Sequence, residues 1–172
     1  MKIKATFISE RIESNSKEAH DLFSTQLMGK KSGEKIIYSL AEAFYILEKG
    51  DMEILDSRKK NLTSNDLIKK FHKLDENFGI KFLVFKDLRK KGYIVKSALK
   101  FGADYRVYER GVRNLKDHSK WIVYVVKDSS KINWADFASK NRVAHSVSKK
   151  LLIAVVDSEE DISYFESSWT KT

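Results

Sequence analysis

Three side chains stand out by type and setting: Tyr108 in YRVYERG (105–111), His118 in KDHSKW (116–121) and Lys149 in HSVSKKLLIAVV (145–156). A phenol, an imidazole and an ammonium together suit the cleavage of RNA by its own 2′-hydroxyl. The nucleophile there already sits beside the phosphate, so neither an activated water nor a metal is required. The reaction needs one group to take the 2′-OH proton and another to protonate the leaving 5′-oxygen. It also needs a cation for the extra charge on the five-coordinate phosphate. Phenols ordinarily ionise at about pH 10. The first role therefore asks for cations beside Tyr108, and Arg106, Arg110 and Lys149 are the candidates. Imidazoles titrate at about pH 6.5, which suits His118 as proton donor, with Asp117 beside it to favour the protonated form. Lys149 opens an apolar run, so its ammonium emerges at a strand end, while Lys150 points to the opposite face.

The strings around these residues are more specific than the residue types. YRVYERG, a polar loop holding DHS, the run WIVYVV and then RVAHSVSKKLLIAVVDS resemble the catalytic domain of the archaeal tRNA-splicing endonucleases. The close match runs from about Lys81 to Trp169, and the spacing maps that family's triad onto Tyr108, His118 and Lys149. The resemblance implies a restriction-endonuclease-like nuclease domain that works without a metal or other cofactor. It implies cleavage of precursor tRNA at exon–intron junctions (bulge-helix-bulge), leaving 2′,3′-cyclic phosphate and 5′-hydroxyl ends. Arg142 matches one of two arginines that, in this family, clamp an extruded base and so bind RNA. No arginine follows it, and Tyr164 stands at the position matching the second. Asp157, Glu159, Glu160 and Asp161 match an acidic loop that inserts into a basic groove of a neighbouring subunit. That implies self-association to a homotetramer, or a heterotetramer with a structural subunit. His145 reads as a helix-end residue and not as a second base.

Composition bounds the alternatives. The chain has 172 residues, 42% hydrophobic and 12% aromatic, with seven Gly and no Pro, as a compact globular protein would. Cysteine is absent, which excludes disulfides and thiolate metal sites. The four histidines (20, 72, 118 and 145) are scattered without zinc-ligand spacing. A metal-dependent DNA nuclease would place Asp/Glu-x-Lys at its metal, and no such tripeptide occurs. A non-catalytic RNA-binding or structural subunit is the other alternative, but it has no chemical need for all three candidate groups. No apolar run is long enough to span a bilayer and the first residues lack a signal-type stretch, so a cytoplasmic protein is expected. The net charge of +9 is unevenly placed: residues 1–77 carry 14 Lys/Arg against 13 Asp/Glu, and residues 78–172 carry 19 against 11. A basic half beside a neutral half points to a polyanion held by the second half.

The elements that must position these groups divide at the same place. Residues 1–77 read as an α+β domain. Strands are expected at 2–9, 36–38 and 52–55, with helices from Ser16 to about Gln26, from the capping box Ser39–Glu42 to Gly50, and from Thr63 to about Leu74. KKSGEK and DSRKKN read as loops. Residues 78–172 read as the catalytic domain, a five-stranded mixed sheet flanked by helices. Its expected helices lie between Gly79 and Gly92 and from Asn133 to about Val147, the latter with Trp134, Phe137, Ala138 and Ala144 inward. Its strands are expected at 93–101, 104–109, 121–126, 151–156 and 162–169. The runs 121–126 and 151–156 are apolar at every position, as strands covered on both faces are.

Overall fold

The computed structural model describes residues 1–172, which form two compact units, Met1–Gly79 and Ile80–Thr172. Both are built on five-stranded sheets, so the chain is a mixed α/β protein.

In the first unit, β1 (Ile3–Ile8), β2 (Arg11–Ser14), β3 (Lys30–Ser32), β4 (Lys35–Tyr38) and β5 (Met52–Leu55) are ordered β3-β4-β2-β1-β5. Only the β1–β5 pairing is parallel. Helices α1 (Lys17–Gln26), α2 (Leu40–Glu48) and α3 (Ser64–Leu74) complete the unit. Each has an N-cap whose side chain accepts an amide from the first turn: Ser16, Ser39 and Thr63. Two strands lie where none was expected, one of them in a stretch read as a loop. β2 follows β1 through Ser9 and Glu10, both at positive φ, a tight two-residue hairpin without the usual Gly or Asn. β3 and β4 make a hairpin out of KKSGEK; β3 is an edge strand exposed at all three positions, so it has no apolar face to betray it.

In the second unit, β6 (Ile94–Ser97), β7 (Tyr105–Tyr108), β8 (Trp121–Lys127), β9 (Lys150–Val156) and β10 (Ile162–Ser167) are ordered β10-β9-β8-β7-β6. All pairs are antiparallel except β8–β9, whose crossover contains α5 (Trp134–Ser146). The sheet is therefore mixed and five-stranded, with the two wholly apolar strands inside it. Helix α4 (Phe78–Lys90) covers one face, where Phe85 meets the Tyr105 ring and Asp87 accepts a hydrogen bond from Tyr164. On the other face Ile122, Tyr124 and Leu151 pack with Ala144, and Phe137 and Val143 of α5 lie against them.

Two expectations are corrected here. The strand expected over 93–101 ends at Ser97, and Leu99–Phe101 form a turn of 3₁₀-helix closed by Gly102 at φ 67°, leaving Leu99 78% exposed. In α5, Trp134 (84% exposed) and Ala138 face outward. The inward stripe runs through Phe137, Asn141 and Ala144, and the Asn141 amide is satisfied by the Phe137 carbonyl and the Ser167 hydroxyl. A buried asparagine on the inner face hid that stripe.

Candidate active site

Alternation along β7 decides which of its side chains reach the α5 face of the sheet. Tyr105 and Val107 point toward α4, while Arg106 and Tyr108 point the other way, Arg106 lying opposite Ile122 of β8. Tyr108 is 1% exposed, one of the largest fully buried side chains, and not the half-exposed strand tyrosine its type alone would suggest. The Arg106 guanidinium carbon lies 5.9 Å from the centre of the Tyr108 ring. Arg110 is turned away, 5.4 Å over the Tyr93 ring and packed along Gly92, so Arg106 and not Arg110 is the arginine beside Tyr108.

The end of α5 places Lys149. The Ser148 amide donates to the His145 carbonyl (3.0 Å) and the Lys149 amide to the Ala144 carbonyl (2.8 Å). Ser148 sits between them at φ 57°. This is a Schellman ending with serine in the left-handed position that glycine usually takes. It reverses the chain into β9 and delivers the Lys149 side chain to the loop between β7 and β8, where Nζ donates to the Ser119 carbonyl at 3.0 Å. That carbonyl belongs to the residue after His118, whose own side chain is exposed in the same loop. The loop is held at its base by the Lys120 amide on the Val107 carbonyl (2.8 Å) and by an ion pair between Lys120 and Glu109. Tyr108 is the last residue of β7, Lys149 immediately precedes β9, and the Lys150 amide on the Lys120 carbonyl (3.0 Å) ties the start of β9 to the end of the same loop. Tyr108, the loop that bears His118 and Lys149 thus lie at the same end of the central strands. Lys150 goes to the other face, where it and the Trp121 indole N–H both bind Glu166.

The electrostatics of this end are one-sided. The Lys149 ammonium is held below its ordinary pKa, first by partial burial and then by the like charges of Arg106 and Lys100. No carboxylate appears among its partners. Nor do any three His, Asp or Glu side chains converge in a metal-binding arrangement.

The remaining candidates lie apart from this centre. Arg142 is exposed on α5, one turn before His145, whose ring lies 4.5 Å from Trp169. Tyr164, at the position matching the second base-clamping residue, is on the α4 face instead, with its hydroxyl bound to Asp87 at 2.6 Å. Burial and that carboxylate push its phenol far up. The Trp169 ring lies against His145, one turn along α5 from Arg142, which strand spacing alone would not have singled out. In the β9–β10 hairpin, Asp157 Oδ1 accepts the amides of Glu159 and Asp161, each at 2.9 Å. Asp157 therefore shapes the turn, while Glu159, Glu160 and Asp161 project from it exposed.

Comparison with known proteins agrees over both units. The family model described as tRNA intron endonuclease, catalytic C-terminal domain, matches residues 78–164. That described as tRNA intron endonuclease, N-terminal domain, matches residues 3–68. A protein of Pyrococcus furiosus named tRNA-splicing endonuclease is 43% identical over 163 residues, spanning 94% of this chain and 93% of that protein. One of the same name from Nanoarchaeum equitans is 45% identical over 138 residues, 77% of this chain and 88% of its own. Another from Methanothermobacter thermautotrophicus is 36% identical over 169 residues, 98% and 92%.

Proposed function

The chain belongs to the tRNA intron endonuclease family, and from that premise we propose that it excises introns from precursor tRNA by metal-independent transesterification. The observation that carries the reading is that Tyr108, the loop bearing His118 and Lys149 lie at one end of the sheet, with Arg106 beside both Tyr108 and Lys149. Tyr108 takes the proton of the 2′-hydroxyl at the junction, with the Arg106 guanidinium beside its ring. The 2′-oxygen then bonds to the adjacent phosphorus. The Lys149 ammonium faces the charge that accumulates on the phosphoryl oxygens. As the bond from phosphorus to the 5′-oxygen breaks, His118 donates the proton that the leaving oxygen needs. The products are a 2′,3′-cyclic phosphate and a 5′-hydroxyl, with one proton taken and one returned.

Around this centre, exposed Arg142 offers a guanidinium plane on which an unpaired bulge base stacks. The acidic tip Glu159–Asp161 seeks basic surface on another subunit, in a homotetramer or beside a structural subunit. The proposed place of action is the cytoplasm; no helix is long and apolar enough to cross a membrane. The test is incubation of the purified chain with an intron-containing precursor tRNA in excess EDTA, followed by mapping of the ends. Cuts at both junctions with cyclic-phosphate ends are expected. An absolute requirement for Mg²⁺, or 5′-phosphate products, would overturn the mechanism.

A further inference from the structure

Arg106 is placed at a cost that folding does not explain. It lies on the face of β7 that carries Tyr108, in register with Ile122, which is paired in turn with Leu151 of β9. Both neighbours are fully buried and apolar. Its Nε is shut off from solvent and has no hydrogen-bond partner. Arg106 is partly exposed, and its buried donor left unpaired is costly to the fold. An apolar side chain of similar length would fill the same space without that penalty. The cations around it deepen the cost, since Lys149 and Lys100 share this end of the sheet and Lys149 finds only a neutral carbonyl. Four other lysines of the unit are paired with carboxylates: Lys81 with Asp104, Lys91 with Asp87, Lys120 with Glu109 and Lys150 with Glu166.

An anion held between Arg106 and Lys149 offsets their like charges. We infer that Arg106 is a second phosphate-holding residue of this site, sharing with Lys149 the charge of the reacting phosphodiester. The inference rests on the proposed cleavage of RNA and goes beyond it. A phosphodiester carries one negative charge, and the five-coordinate species formed by attack of the 2′-oxygen carries about two. A lone ammonium matches the ground state, and a second cation is matched to the additional charge. Binding that strengthens as the reaction proceeds raises the rate more than the affinity. The guanidinium's fixed fork of donors also fits a pair of phosphoryl oxygens, which a lysine cannot match.

The test compares wild type, Arg106→Met and Arg106→Lys. The readouts are single-turnover cleavage of precursor tRNA at saturating protein, affinity for the same RNA made 2′-deoxy at its junctions, and thermal melting. Met keeps the length of the side chain and Lys keeps its charge. Arg106→Met is expected to lower the rate about 10- to 100-fold, as loss of one preorganised charge contact does, with affinity within about threefold and melting unchanged or raised. Arg106→Lys should recover part of the rate. A wild-type rate in Arg106→Met would overturn the inference while leaving the proposed function intact. Equal losses in Met and Lys accompanied by lower melting temperatures would make Arg106 a brace for the sheet and overturn it too. A wild-type chain that does not cut would overturn the proposed function beneath it.

Discussion

Lys149 shows at the scale of one residue how stability is given up where chemistry is needed. Its folded pKa lies below the ordinary lysine value, so the folded state is penalised while the side chain is charged. That penalty is fully present below the folded pKa and fades as pH rises from there through the unfolded value. Lys149→Met is therefore expected to melt no lower than the parent at neutral pH while losing about 100-fold or more in single-turnover cleavage. A melting temperature several degrees lower would mean that the bond to Ser119 is structural. His118→Ala should lose cleavage to a similar degree, about 100-fold, with RNA affinity little changed. Tyr108→Phe keeps the buried ring and isolates the hydroxyl, so a normal rate in that variant would remove the phenol from the reaction. The residue types and their strings were legible in the chain. The burial of Tyr108 and the divergence of Arg106 from Arg110 were not, because both depend on which strand face α5 covers.

Between elements, the turn from α5 into β9 fixes where the ammonium goes. Ser148 holds a left-handed conformation at φ 57° and is exposed, a position where a β-carbon costs about 1 kcal/mol. Ser148→Gly should stabilise the protein by roughly 0.5–1 kcal/mol in urea unfolding, with cleavage retained, because the bonds of the helix ending are backbone bonds. Destabilisation would show that the serine hydroxyl does more there than the geometry suggests. Long apolar strands and capped helices could be read directly: β8, β9, α2 and α3 lie where their patterns put them. Elements without an apolar face could not. The edge strand β3 is polar throughout, and the β1–β2 turn uses Ser9 and Glu10 instead of turn residues. The alternation of YIVKSALKF runs past the point where the chain bends into 3₁₀-helix, and Gly102 was the available sign of that bend. The face to which Tyr164 points was not legible either, since one residue of register moves a side chain to the other face of a sheet.

Across the whole molecule, charge is divided between a nearly neutral first half and a basic second half whose one acidic outcrop is the β9–β10 tip. Asp157 is spent on its own turn, so Glu159, Glu160 and Asp161 are the charges free for another subunit. Replacing those three with Gln, Gln and Asn should split a tetramer into dimers and depress cutting of a two-bulge substrate. The wild-type assembly should itself weaken with added salt. The dimer should persist through β10, an edge strand with Phe165 exposed on it. Light scattering that finds a monomeric wild type, or a tetramer unchanged by the replacements, would contradict this arrangement. The central claim, that the RNA supplies its own nucleophile, is tested most directly by removing that nucleophile. A precursor tRNA carrying a single 2′-deoxy nucleotide immediately 5′ of one junction should be cut normally at the other junction and not at all at the modified one. Cleavage at the deoxy position, with a 3′-hydroxyl or a linear 3′-phosphate on the new end, would show that water is the nucleophile and contradict the account.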